Sequence, residues 1–165
     1  MEVVKERDRF VLKENDKILS WIIYEENDFV HLVETRYVES EKHASTLVKE
    51  VLKALEGRKV KISCSLVKEW IEKSKVVGDF EYTLLLRFKE EIEKFNRYRS
   101  PEANAELLEF DRRRAKVLFT GPFCVSCGIY DYFEDLTVDI GAKIESFDEF
   151  EDGFVVTYLF TEDLY

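Results

Sequence analysis

The chain has 165 residues, 45% of them apolar, which is enough for one ordinary domain or two small ones with packed cores. Its formal net charge of −10 disfavours binding to a phosphate backbone and so argues against a nucleic-acid partner. No apolar run approaches the roughly 18 residues needed to span a bilayer, and the charged start MEVVKERDRF has no signal-peptide core, so a soluble, cytoplasmic protein with no membrane partner is expected.

Residues 9–38 read as three strands. RFVLKE alternates, with Phe10 and Leu12 on one face; KILSWIIYEE is longer and more apolar; DFVHLVETRYV is rich in β-branched and aromatic residues. The tripeptide END separates them at 14–16 and again at 26–28, a good turn sequence both times, so an antiparallel meander is expected. From Ser40 the period changes. Ala44, Leu47, Val48, Val51, Leu52 and Leu55 form a helical stripe, with Ser40 as its N-cap and Gly57 as its terminator. KVKISCS follows as a strand and LVKEWIEKS as a second helix, giving a βββαβα unit that closes near Val77 and Gly78.

The second half opens on a long helix over about 80–98, with Leu84, Leu85, Phe88, Ile92 and Phe95 on one side; a strand at 82–88 is the competing reading. SPEANAELLEFDRRR reads as another helix, capped by Ser100 with Pro101 at its first position. AKVLFTG is an apolar strand, and CGIYDYFEDL is helical, with Ile129, Tyr132, Phe133 and Leu136 in register. AKIESFDEF and FVVTYLFT form a hairpin around EDG. The expected fold class is therefore α+β, with a mainly antiparallel βββαβα unit at 1–78 and a small ααβαββ unit at 79–165.

Residues 9–77 resemble the small acetyltransferase-like proteins of the GNAT (N-acetyltransferase) family. The resemblance is carried by RFVLKENDKILSWIIYEENDFVHLVETRYV, by the helix after it, and most closely by KVKISCSLVKEWIEKSKVVGDF, where a strand ends in the Cys64-Ser65 turn before a short helix and Asp79-Phe80. It implies acetyl-CoA as cofactor, its pyrophosphate held where the helix after the third strand begins, on a loop with an Arg or Gln and two spaced glycines. Glycines let backbone N–H groups approach phosphate, and the helix dipole adds to the attraction. The matching stretch here, YVESEKHASTLV, has neither glycine nor arginine, and Glu39 and Glu41 stand where the phosphates would lie. No cofactor-binding residue carries over. The expected function is an acetyltransferase-like protein with weakened or lost acetyl-CoA binding.

The other chemistry-bearing feature is Cys124-Val-Ser-Cys127, at the corner between a strand and a helix. A helix N-terminus lowers thiol pKa, so Cys124 could be a nucleophile and Cys127 its resolving thiol in a thiol–disulfide protein. Against full thioredoxin architecture, the only prolines are Pro101 and Pro122, and neither follows the motif. A structural disulfide or a buried thiol pair is the competing reading. The chain lacks Gln, has one Met and is rich in Glu and Lys, a hyperthermophile bias, and such organisms tolerate intracellular disulfides. A metal would need Cys64, His31 or His43 as further ligands, none of them at paired spacing, so no metal is expected.

The remaining candidates read two ways each. His31 is a general base or a partly buried structural histidine; His43 lies in a helical first turn. Glu34 and Glu39 are strand-end base carboxylates or solvated charges. Asp131, Glu134 and Asp135 form an acid–base cluster or a solvated helix face. Arg112, Arg113 and Arg114 form an anion patch or a solvated helix end. The tail from Ile144 alternates acids with aromatics and could supply an edge strand for a homodimer, which makes a non-enzymatic interaction protein the third functional class.

Overall fold

The structure, a computed structural model, describes residues 1–125 and 128–165, without the side chains of residues 124 and 125. It divides into two compact units, Met1–Thr83 and Leu84–Tyr165.

In the first unit β1 (Glu2–Lys5), β2 (Arg9–Glu14), β3 (Lys17–Glu26) and β4 (Val30–Tyr37) form an antiparallel meander. Asn15 and Asp16 take left-handed backbone at the β2–β3 turn, a conformation their short polar side chains tolerate. After β4 the chain crosses over α1 (Glu41–Ala54) to β5 (Val60–Ile62), then over α2 (Ser65–Ser74) to β6 (Phe80–Tyr82), and β4, β5 and β6 run parallel. The sheet order is β1-β2-β3-β4-β5-β6. Both helices lie on one face: Leu47, Val48 and Val51 of α1 and Val67 and Ile71 of α2 share a core with Leu12, Ile22, Leu32 and Ile62 of the sheet. Burying both crossovers on one face leaves their opposite, charged flanks in water.

Two short strands extend the expected βββαβα order to ββββαβαβ. β1 adds to the free edge of β2. β6 pairs with β5 through Val60–Phe80, Lys61–Glu81 and Ile62–Tyr82, so residues 79–83, read from sequence as the start of the second unit, belong to the first sheet.

The second unit runs α3 (Leu84–Arg99), β7 (Asn104–Phe110), β8 (Arg114–Thr120), a single 3-10 turn at Pro122–Val125, α4 (Ile129–Glu134), β9 (Ala142–Phe150) and β10 (Gly153–Phe160). Its four strands are antiparallel in the order β7-β8-β10-β9. Leu85, Phe88, Ile92 and Phe95 of α3 pack with Phe133 of α4 on one face, against Val117, Phe119, Val156 and Tyr158. Aromatic rings dominate this core; Phe119 and Phe133 lie 5.0 Å apart and Phe95 meets Phe119 edge-on at 5.5 Å.

The second expected helix, SPEANAELLEFDRRR, is a correction: it forms β7 and the turn after it, so the unit is αββαββ and not ααβαββ. Ala105 and Leu107 turn inward with period two, and β7 pairs with β8 from Asn104–Thr120 to Phe110–Ala115. Asp111 closes the hairpin, its Oδ1 accepting the N–H groups of Arg113 and Arg114 at 2.8 Å each; these bonds hold its carboxyl below the usual range. Asn96 on α3 grips Ala105 from both sides, donating to its carbonyl at 2.9 Å and accepting its N–H at 2.7 Å. Ladder and clamp together override the helical propensity of the Glu and Leu residues. The arginine run is thereby placed at a hairpin turn and the start of β8, where Arg114 pairs with Glu145 and Arg113 with Asp163.

Candidate functional site

Two features of the first unit gather the chemistry-bearing residues: the entry to α1, and the ends of the parallel strands.

At the entry, β4 ends at Tyr37 and the chain turns through Glu39, whose φ is 67°. Ser40 sits in extended backbone and its Oγ accepts the Lys42 N–H at 3.2 Å, the cap expected from sequence. The His43 N–H goes to the Ser40 carbonyl at 3.1 Å, and the His43 ring lies 3.3 Å from the Val38 carbonyl. Lys17 donates to Glu39 at 2.9 Å, which holds that carboxyl below the usual carboxylate range. Glu41 supplies a further negative charge in the first turn. Two amides that a phosphate would need here are already bonded within the turn, and two carboxylates complement the helix dipole instead.

At the strand ends, the β4–β5 ladder covers only Val30–Leu32 against Val60–Ile62, followed by a bond from the Ser63 N–H to the Leu32 carbonyl at 2.9 Å. In its pairing with β3, β4 carries one extra residue at Val33, between Leu32 opposite Tyr24 and Glu34 opposite Ile23. From Glu34 to Tyr37, β4 pairs with β3 and not with β5, so the two parallel strands part half-way along. Cys64 sits just past this parting, its thiol donating to Thr35 Oγ1 at 3.3 Å. Cys64 is a free, buried thiol.

On the next turn of chain a polar array is buried. His31 Nε2 lies 2.6 Å from Ser63 Oγ, which lies 2.5 Å from Thr83 Oγ1, and Thr83 donates on to the Ile62 carbonyl at 3.3 Å. On the other side, His31 Nδ1 faces the half-exposed Glu25 carboxylate at 3.6 Å. Carboxylate, imidazole and hydroxyl stand in the order that activates a serine nucleophile. Yet Ser63 and His31 are both fully buried, which withholds the oxygen and the ring from a substrate. The array acts instead as a polar tie between β4, β5 and β6. His31 was the one member read from sequence, and the structural alternative for it is the one that fits. Ser63 and Thr83 carry no functional signal in the sequence beyond each immediately following a three-residue strand.

The other sequence candidates disperse. Glu34 pairs with Arg36 at 3.1 Å and Glu39 with Lys17, both at the surface. Asp135 binds Arg99 at 2.8 Å, while Asp131 and Glu134 stay on the outer side of α4. Among the described residues no group of three or more His, Cys, Asp or Glu is placed to hold a metal ion, and no helix is long and apolar enough to cross a membrane. Cys127, and the side chain of Cys124, lie outside the described residues. β9 does lie at an edge of its sheet, with Phe147 and Phe150 partly exposed.

Comparison with protein-family models, with curated proteins and with solved structures finds no match for this chain.

Proposed function

We propose that the first unit is an acetyltransferase-like scaffold that has lost acetyl-CoA binding, and that the protein works without this cofactor. The scaffold half of the reading is supported by the sequence resemblance of residues 9–77. It is also supported by the order of elements, an antiparallel meander, helix, parallel strand, helix, parallel strand, with β4 and β5 parting half-way, although the meander has four strands and not three. The loss of the cofactor rests on one observation, the entry to α1. There Glu39 and Glu41 flank the turn, Ser40 and its carbonyl consume the Lys42 and His43 amides, and no glycine opens the backbone. A pyrophosphate brought to this turn would meet two carboxylates and few available donors, the reverse of the usual anion site at a helix N-terminus.

Isothermal titration of the full chain with acetyl-CoA, and separately with CoA, tests the reading. No saturable heat is expected at millimolar ligand. A dissociation constant in the micromolar range would overturn it.

A further inference from the structure

At the far end of α1, roughly 20 Å from its acidic entry by the rise of a helix of this length, the first unit holds a cleft of about 230 Å³. Its floor is apolar: Leu52 from α1, Leu55 at the cap just after it, Trp70 from α2 and Phe80 at the start of β6. One wall is the turn after α1, where Gly57 adopts a φ of 79° with open space on its side-chain face. The opposite wall is the loop Val76–Asp79. Gly78 lets the tip of the Phe80 ring approach that loop closely, since a Cβ there would come within 2.6 Å of its Cζ. Val77, at the rim, is 96% exposed.

The charges at the mouth are uneven. Lys49 and Lys53, one helical turn apart, stand on the α1 side, and neither enters an ion pair among the described residues. Arg58 is already bound to Glu26 at 2.5 Å. The two acids of the lining, Glu56 and Asp79, belong to the turn and the loop. An apolar floor with a paired cationic rim on one side fits a ligand with an apolar body and one anionic end. The volume lies below the roughly 300–1,000 Å³ of pockets for drug-sized molecules, so the body must be small.

We propose that this cleft binds a small amphipathic carboxylate, its hydrocarbon part on Trp70 and Phe80 and its carboxylate between Lys49 and Lys53. The site is independent of the acetyl-CoA reading, since it uses the opposite end of α1 and different residues.

The test is a titration of the 15N-labelled full chain with 4-phenylbutyrate, with octanoate and with the uncharged 4-phenylbutanol, read by amide and indole chemical shifts. Saturating shifts are expected at Gly57, Gly78 and the Trp70 indole with at least one acid at millimolar concentration, and the alcohol should bind about tenfold more weakly. The exposed double variant K49E/K53E should weaken binding of the acid by a similar factor while its spectrum stays folded. Three results would each overturn the proposal: no saturable shift, shifts centred elsewhere on the chain, or equal binding of acid and alcohol. A K49E/K53E variant that binds as tightly as the parent would overturn the role given to the lysines and with it the choice of ligand.

Discussion

Tyr158 shows what one buried side chain does in this molecule. It is fully enclosed among the rings of the second core and donates to the Phe133 carbonyl at 2.7 Å, which ties β10 to α4. Burial pushes its phenol far above the usual range, so the native state holds it neutral. A folded pKa raised above the unfolded value gives stability that is complete below about pH 10 and is lost as pH climbs above it. Thermal unfolding of the parent should therefore shift to lower temperature between about pH 9 and about pH 11, and Tyr158→Phe should flatten that slope. At neutral pH the same substitution should cost about 1–3 kcal/mol by chemical denaturation, because the Phe133 carbonyl loses a buried donor. A slope identical in parent and variant would assign the alkaline loss to other groups. Ser63 offers the matching case in the first unit. Ser63→Ala removes the oxygen between His31 and Thr83. It should cost about 1–3 kcal/mol by the same measurement, as expected when buried polar groups lose their partners. An unchanged midpoint would show that the array holds nothing together.

Elements were legible where local pattern and tertiary demand agree. The strands at 9–14 and 17–26 stand where composition and the END turns put them, though β2 buries Phe10, Val11 and Leu12 in a row and does not alternate, and α1 buries its Ala44, Leu47, Val48, Val51 and Leu52 stripe behind a Ser40 cap. They disagree at 100–114. Glu106, Leu107, Leu108 and Glu109 favour a helix by propensity, and Ser100-Pro101 imitates a helix start. The segment is extended because β8 offers a full ladder and Asn96 fixes Ala105 at its entrance, neither of which is local information. Asn96→Ala should accordingly destabilise by about 1–3 kcal/mol, since it strips the partners from both the N–H and the carbonyl of Ala105. In hydrogen exchange the loss should appear first at Ala105 and its β7 neighbours. Uniform loss of protection across the unit, with β7 no worse than β10, would contradict the clamp.

At the scale of the whole chain, the division into two α+β units is visible in the change of pattern near the middle, but its position is not. β6 is three residues long and makes sense only beside β5, so no sequence period announces it. The candidate site divides the same way. The acidic entry to α1 is written in contiguous residues and can be read directly from YVESEKH. The His31–Ser63–Thr83 array joins a residue of β4 to the residues that directly follow β5 and β6, and the cleft between α1 and α2 joins Lys49 to Phe80; both exist only once the crossovers are made. The closure proposed for the entry to α1 involves contiguous residues and can be read at single amides. In a titration of the 15N-labelled full chain with CoA, the amides of Ser40, Glu41 and Lys42 should not move at millimolar ligand. Saturating shifts centred on these three amides at micromolar CoA would contradict the account.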